Sequence, residues 1–393
     1  MTHSDTDPAV STPELSPEEL RRYARHFAIP EFGVEAQRKL KAARVLVIGA
    51  GGLGSPVTLY LAAAGVGHIT LADPDSVELS NLQRQILFSE SDQGRKKLDA
   101  ARDRLLGVNP HLSLSLRGET FSAANAMEMA RGHDVIIDGT DNFPTRYLSN
   151  DVAVWLKIPN VYGSILRFEG QVSVFDTARG GPCYRCMAPN PPAPGLVPSC
   201  AEGGVLGVLP GIIGSLQALE AVKLIAGIGE PLVARLLHLD ALAMRFRTLR
   251  LRRDPDCPVC GDQPAITEPV DYHGFCGLPS SPPEKRDSLE SITATELKAM
   301  MDRCEDFLLL DVREPWEHEL AGIPGAQNLP LGTLKTEPPA LDLRRMIVAH
   351  CKSGIRSAAA CEILVNLGAA RVLNLAGGIH AWSDEIDPSV PKY

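Results

Sequence analysis

The sequence predicts two α/β domains: a Rossmann-like, doubly wound parallel sheet with antiparallel strands appended to it, then a smaller α/β unit. Three observations carry that prediction. From Arg44 onward, apolar strand patterns alternate with helical ones, the signature of a parallel sheet covered by helices. The stretch VLVIGAGGLGSPVTLYLAAAG, beginning at Val45, runs from a strand through a glycine-rich turn into a helix. Around 264–288 the composition changes to QPAITEPVDYHGFCGLPSSPPEKRDS, rich in proline, serine and charge, and a new strand and helix cycle begins at Ser291.

Taken in order, residues 1 to about 43 read as a polar tail and a charged helix, EELRRYARHFAI. ARVLVIGA is the first strand, followed by a helix, the strand HITLADPD and a helical stretch around KKLDAARDRLLGV. LSLSLRG and DVIIDGTDN are further strands, and PNVYGSILRFEGQVSVFD alternates as appended antiparallel strands do. In the second unit, TATELKAMM is a helix, DFLLLDVR and RMIVAH are strands, SAAACEILVNLG is a helix and RVLNL a strand. The expected organisation is a first domain over 1–265, a linker over 266–288 and a second domain over 289–393.

Composition narrows the function classes. The 393 residues, 44% hydrophobic, suffice for two or three domains with a large core, which argues against wholesale disorder. A net charge of -9 argues against a general nucleic-acid binder. The first twenty residues contain no apolar signal core, so no export is expected. The most apolar later stretch, Val205 to Gly227, carries Gln217, Glu220 and Lys223, and reads as a buried or interface helix rather than a membrane span. The nine cysteines are an odd number and suggest no disulfide framework; the reducing cytoplasm is the expected compartment.

Gly49, Gly51, Gly52 and Gly54 form a G-x-G-x-x-G turn, where backbone N–H groups and a helix N-terminus favour a phosphate. Asp73, at the end of the next strand, is placed to accept from a ribose hydroxyl. A dehydrogenase and an ATP-using enzyme fit these features equally. The following segment, DPDSVELSNLQRQ to GRKKLDAA, offers Asp75, Ser80, Asn81, Leu82, Gln83, Arg84, Gln85 and Lys97. Arg84 and Lys97 suit a triphosphate, although a solvated charged loop reads the same way. In DGTDN, Asp141 stands where open α/β sheets bind ligands and could hold Mg2+; a helix N-cap at Asp141 or Asn142 is the plainer alternative.

Two C-x-x-C pairs, Cys183 with Cys186 and Cys257 with Cys260, give four thiolates for a structural Zn2+ site, with redox pairs or unrelated buried thiols as alternatives. Cys200 lies between them in the proline- and glycine-rich run APGLVPSCAEGG, a loop of the kind often found over an active site; the plainer reading is a dispensable thiol. In IVAHCKSGIRS, Cys351 follows a strand and precedes a helix, with Lys352, Ser353, Gly354, Ile355 and Arg356 forming the loop. Successive N–H groups and two cations favour a thiolate or a persulfide there. The loop encloses four residues between cysteine and arginine, one fewer than a phosphatase uses. Arg356 suits an anionic sulfur donor. Cys276 in the linker reads as bland or as a relay thiol; Cys304 and Cys361 read as bland.

Residues 15 to about 262 resemble the MoeB/ThiF family of ubiquitin-activating-like adenylyltransferases through RYARH, GAGGLGS, ADPDSVELSNLQRQ, GRKKLDAA, DGTDN, EGQVSVF, CYRC, GSLQALEAVK and CPVC. Residues 291–388 resemble a rhodanese domain through DVRE, CKSGIRS and GG-x-x-x-W. The resemblance implies ATP rather than NAD. It assigns Gly51, Asp73, Asn81, Arg84 and Lys97 to the nucleotide, Asp141 to magnesium or the transition state, and Arg25 to a finger reaching a homodimer partner. It implies adenylation of the C-terminal Gly-Gly of a ubiquitin-fold sulfur carrier protein. Sulfur then passes from a Cys351 persulfide loaded by thiosulfate or a cysteine desulfurase, and Cys200 is a possible second thiol. A nicotinamide dehydrogenase, a ubiquitin-like conjugating ligase and a non-enzymatic scaffold are the competing readings.

Overall fold

Five apolar runs make the parallel part of an eight-stranded sheet in the computed structural model, which describes residues 13–192, 204–276, 290–336 and 341–393. They are β1 (Arg44–Ile48), β2 (His68–Ala72), β3 (Ser113–Arg117), β4 (Val135–Asp138) and β5 (Asn160–Leu166), in the spatial order β3-β2-β1-β4-β5. Val45 is paired with Ile69 on one side and with Val135 on the other. The last four residues of β1 and β2, and all four of β4, are buried, as strands covered on both faces must be. The strands β6 (Glu169–Phe175), β7 (Arg235–Asp240) and β8 (Arg245–Arg250) continue the sheet antiparallel. All six residues of β8 are exposed, and its three arginines charge the open edge against pairing with another sheet.

The chain moves outward from β1 to β2 and β3, then returns to β4 on the other side of β1. Loops leaving β1 and β4 therefore diverge and open a crevice at the carboxyl ends of the strands. The helix Gly54–Ala64 packs against the helix Val208–Ala226 on one face of the sheet. Val208–Ala226 is long and apolar enough to cross a membrane, yet half of it is buried inside this unit. From this helix, Gln217 Nε2 donates to the carbonyls of Asp138 (2.8 Å) and Val161 (3.1 Å), tying the helix to two strands.

Two expectations differ from the structure. The N-terminal helix is broken into Pro17–Arg22 and Ala24–Phe27 at Tyr23. Tyr23 is buried, and its hydroxyl accepts from Asn109 at 2.9 Å, so a long-range anchor overrides the local helical pattern. The stretch 266–276, assigned to the linker by composition, is packed: Tyr272 and Cys276 are buried in an apolar cluster with Tyr147 and Tyr184. Tyr272 also donates to Asp151 at 2.9 Å. Composition could not reveal this, because a few buried aromatic anchors suffice to hold a proline-rich segment. The chain divides into the compact units Met1–Ser280 and Ser281–Tyr393.

In the second unit, β9 (Ser291–Ile292), β10 (Phe307–Asp311), β11 (Gln327–Asn328), β12 (Met346–His350) and β13 (Arg371–Leu375) form a parallel sheet ordered β11-β10-β12-β13-β9. The two-residue strands β9 and β11 are too short for any periodicity to disclose. The helix Ala294–Asp302 starts with a capping box, Thr293 Oγ1 accepting from the Glu296 N–H at 3.1 Å and the Glu296 carboxylate accepting from the Thr293 N–H at 2.8 Å. Separate apolar clusters gather around Val348 and Leu375, and around Ile347 and Cys361.

Candidate functional site

The crevice of the first unit is a cavity of about 1220 Å³. Its floor depends on glycine. Gly49 has φ +92°, and a Cβ on Gly54 would stand 1.9 Å from the Gly49 carbonyl oxygen. A Cβ on Gly51 would meet only Gln85 Nε2, at 3.8 Å, so the backbone there is open to the cavity. Gly49, Gly51, Gly52, Asp73, Asp75, Asn81, Arg84, Gln85, Lys97, Asp141 and Asn142 line this space.

Polar contacts set each group. Asp73 accepts from the N–H groups of Ala50 (2.8 Å) and Asp75 (2.9 Å), which fixes the carboxylate under the glycine turn. Lys97 is buried and holds its ammonium 2.9 Å from the Asp75 carboxylate and 3.6 Å from Asp73. Gln85 is buried too, and its Oε1 has no hydrogen-bond partner among the described residues. Arg84 donates to the Ser80 carbonyl at 3.1 Å.

Asn142 takes the helix cap: its Oδ1 accepts from the Thr145 N–H at 2.9 Å. Asp141 is left exposed on the cavity wall, with no hydrogen bond or ion pair among the described residues. Gly54, Ser80, Leu82 and Gln83 do not line the cavity. Gly54 makes the turn, Leu82 packs on the core, and the Gln83 carbonyl abuts Gly207, where a Cβ would come within 1.9 Å. Arg25 is exposed on Ala24–Phe27, outside the cavity and without a polar partner among the described residues.

Beneath Asp141 the structure adds a pair that the sequence did not single out. Asp138 ends β4 fully buried, its Oδ1 accepting from the N–H (3.0 Å) and hydroxyl (2.7 Å) of Thr140. Burial pushes this carboxyl up, against the pull of Arg146, whose Nε lies 3.8 Å away. Arg146 lies over the Tyr162 ring at 5.1 Å and donates to the Thr140 carbonyl at 3.3 Å. Its position within Phe143–Leu156 looks in sequence like any helix residue, so only the turn back toward β4 shows its place.

The four cysteines of the two C-x-x-C pairs converge, with all four sulfurs within 4.8 Å of one another. Sulfur separations are 3.9 Å for Cys183 to Cys186, 3.5 Å for Cys183 to Cys257 and 3.3 Å for Cys186 to Cys260. Hydrogen bonding to Cys186 and Cys257 pushes the Cys183 thiol above its ordinary range. Beside the cluster, Arg185 and Asp151 form a buried ion pair at 2.7 Å that anchors the helix Tyr184–Met187 to Phe143–Leu156. Cys276 lines the cavity, and burial pushes its thiol up to about 11, which disfavours a relay role near neutral pH. Cys200 lies outside the described residues.

In the second unit Cys351 is buried where β12 ends. Its Sγ accepts from the Gly354 N–H at 3.1 Å and from the Ser357 hydroxyl at 3.4 Å. Gly354, at φ +94°, caps the helix Ile355–Asn366. The loop lies against Gly378, where a Cβ would come within 2.4 Å of the Cys351 carbonyl oxygen. Lys352 is half-buried and Ser353 and Ile355 are exposed.

Arg356 differs from expectation. Both of its terminal nitrogens donate to Glu317, at 2.6 and 2.7 Å, instead of facing outward for a donor anion. Burial alone would raise the Glu317 carboxyl, but the Arg356 hydrogen bonds win and hold it below its ordinary range. His350, next to Cys351, is fully buried; its ring nitrogens make no hydrogen bond among the described residues, Nε2 lies 3.8 Å from the Asp311 carboxylate, and burial outweighs that carboxylate to push the imidazole down to about 4.

These geometries agree with comparison to known proteins. Residues 23–259 match the ThiF family model, and residues 293–385 match the rhodanese-like domain model. The chain belongs to the ThiF family. Among ThiF-family relatives, the "Probable adenylyltransferase/sulfurtransferase MoeZ" of Mycobacterium tuberculosis is 46% identical, over 96% of each chain. "Adenylyltransferase and sulfurtransferase MOCS3-2" of Zea mays is 42% identical over 95% of this chain and 81% of its own. MOCS3 of Drosophila yakuba is 42% identical over 98% of this chain and 87% of its own.

The first unit also resembles E. coli MccB solved with ATP, at 25% identity and a TM-score of 0.53, over 61% of this chain and 74% of that one. The chain is thus an enzyme of the two-domain adenylyltransferase and sulfurtransferase type. Within this ThiF-family chain, sequence reasoning missed Asp138, Arg146, Glu317, Ser357 and Tyr393. Two of them sit in quoted motifs without being given a role, Asp138 as the first residue of DGTDN and Ser357 directly after Arg356; the others carry no glycine or cysteine mark beside them.

Proposed function

We propose that the first unit adenylates the C-terminal glycine of a ubiquitin-fold sulfur carrier ending in Gly-Gly, and that the second unit supplies the sulfur that replaces AMP. The observation that carries this reading is the pairing, in one chain, of two sites. One is a glycine-floored cavity bearing the unpartnered Asp141 carboxylate; the other is a cysteine loop whose sulfur accepts from Gly354 and Ser357.

The residues suit ATP as substrate. The open Gly51 backbone accommodates phosphate, and the unpartnered Gln85 Oε1 is free to accept from the nucleotide. Gly49, Gly52, Asp73, Asp75, Ser80, Asn81, Leu82, Gln83 and Asn142 complete the proposed nucleotide environment, Ser80, Leu82, Gln83 and Gly54 acting through loop shape. Asp141 would hold Mg2+, which when bound offsets phosphate charge. Arg84 and Lys97 neutralise the triphosphate, and Arg25 reaches the partner's cavity in a homodimer. The carrier carboxylate attacks the α-phosphate, pyrophosphate leaves, and an acyl-adenylate forms.

Cys351, loaded by thiosulfate or by a cysteine-desulfurase persulfide, then attacks the acyl carbon as a persulfide and expels AMP. A second thiol, Cys200 in this proposal, attacks the Cys351 sulfur of the resulting acyl disulfide and releases the thiocarboxylate, leaving an enzyme disulfide for cellular thiols to reduce. Cys183, Cys186, Cys257 and Cys260 would hold Zn2+ as a closed structural site: a Zn–S bond of about 2.3 Å puts tetrahedral sulfurs about 3.8 Å apart, close to the spacing here. The pathway served is that of a molybdopterin-type or related sulfur-containing metabolite.

The test is intact mass of candidate Gly-Gly carriers incubated with this protein, Mg-ATP, thiosulfate and reductant. Exchange of one carrier oxygen for sulfur, lost in Cys351→Ala, is expected. Sulfur incorporation that survives Cys351→Ala overturns the relay.

A further inference from the structure

Four groups around the Cys351 loop converge on one side chain. The Tyr393 hydroxyl accepts from Arg313 Nη1 at 2.6 Å and donates to Glu317 Oε1 at 2.9 Å. The same Glu317 oxygens hold both terminal nitrogens of Arg356. The Tyr393 ring lies 5.0 Å from the Lys352 ammonium. Trp316 packs edge-on against that ring at 5.7 Å. Arg356 is therefore neutralised by a buried carboxylate, whereas Lys352 has no ion pair or hydrogen bond from its ammonium among the described residues. The backbone of Lys352 is fixed independently, its carbonyl accepting from the His380 N–H at 3.2 Å.

We propose that Lys352 is the cation that binds an anionic sulfur donor at Cys351, and that Tyr393 is its positioning residue, holding the ammonium by its ring. This rests on reading Cys351 as the sulfur-carrying residue. With thiosulfate, the Cys351 thiolate attacks the sulfane sulfur, the S–S bond to the sulfonate breaks, and sulfite leaves with the electron pair. Cyanide then takes the sulfur as thiocyanate and restores the thiolate. The dianionic oxygens of thiosulfate are what Lys352 meets. Methanethiosulfonate, a monoanion carrying the same sulfane sulfur, depends on it less.

The experiment measures thiocyanate formation by the full chain with each donor. Tyr393→Ala is expected to raise KM for thiosulfate about threefold to tenfold, the scale of one cation–π contact, with kcat within twofold. Tyr393→Phe keeps the ring and retains the wild-type KM. Lys352→Met reproduces the KM increase, and adding Tyr393→Ala to it gives no further rise. Both changes are at least threefold smaller with methanethiosulfonate.

An unchanged thiosulfate KM in Lys352→Met, or equal increases for both donors, overturns the proposal; Lys352→Met decides the matter if Tyr393→Ala does not fold. Activity retained in Cys351→Ala would instead overturn the reading of Cys351 on which the proposal rests.

Discussion

Asp141→Asn separates chemistry from folding. The Asp141 side chain is exposed and makes no hydrogen bond or ion pair among the described residues, and the adjacent Asn142 supplies the helix cap. A surface substitution of this kind changes stability by no more than about 0.5 kcal/mol. For a unit of this size that is a melting shift of about 1–2 °C. If the carboxylate acts on developing phosphate charge, its loss removes about 3–4 kcal/mol of transition-state stabilisation, a fall of about 10²–10³ in rate. The assay is ATP–pyrophosphate exchange with a Gly-Gly carrier, run beside a melting curve and thiosulfate-to-cyanide transfer. Exchange should collapse while melting and sulfur transfer stay at wild-type values. Asp138→Asn provides the contrast: that side chain is buried with two bonds from Thr140, so its replacement should lower melting as well. Exchange within about threefold of wild type in Asp141→Asn would refute the reasoning.

Two further outcomes test the rest. The purified protein should contain one zinc per chain, and its removal by chelation should lower melting of the first unit while thiocyanate formation persists; a protein that folds without metal, with all four cysteines open to thiol reagents, rules the site out. His350 is pushed from 6.5 down to about 4 by burial, so as pH falls the unfolded chain takes up the proton first. The second unit should therefore lose stability from about pH 6.5 to about 4, by about 3 kcal/mol in all. Urea midpoints read by fluorescence in a Trp155→Phe background report this, and His350→Leu should flatten the slope; a slope unaffected by that change refutes the assignment.

Much of the molecule was legible because its signals are local. The G-x-G-x-x-G turn is dictated by the close approach of Gly54 to the Gly49 carbonyl, which no side chain can survive, so the sequence marks it. The C-x-x-C pairs and the CKSGIRS loop are equally compact, because metal ligation and anion-binding turns require fixed short spacings. Less was legible where a side chain is placed by another element. Asp141 and Asn142 were interchangeable as cap or ligand until the Asn142 to Thr145 bond decided between them. Arg356 carried a free positive charge in the sequence and spends it on Glu317, thirty-nine positions away.

The sequence by itself determined the two α/β units, the glycine turn, the two C-x-x-C pairs and the CKSGIRS loop, since each is written in periodicity or in short spacing. Only the tertiary structure decided which charges are free to act. It buried Asp138 beside Arg146, left Asp141 unpartnered on the cavity wall, packed 272–276 onto the first unit, and brought Tyr393 against Lys352. Such pairings join residues far apart in the chain, and no local pattern encodes the partner that neutralises a charge.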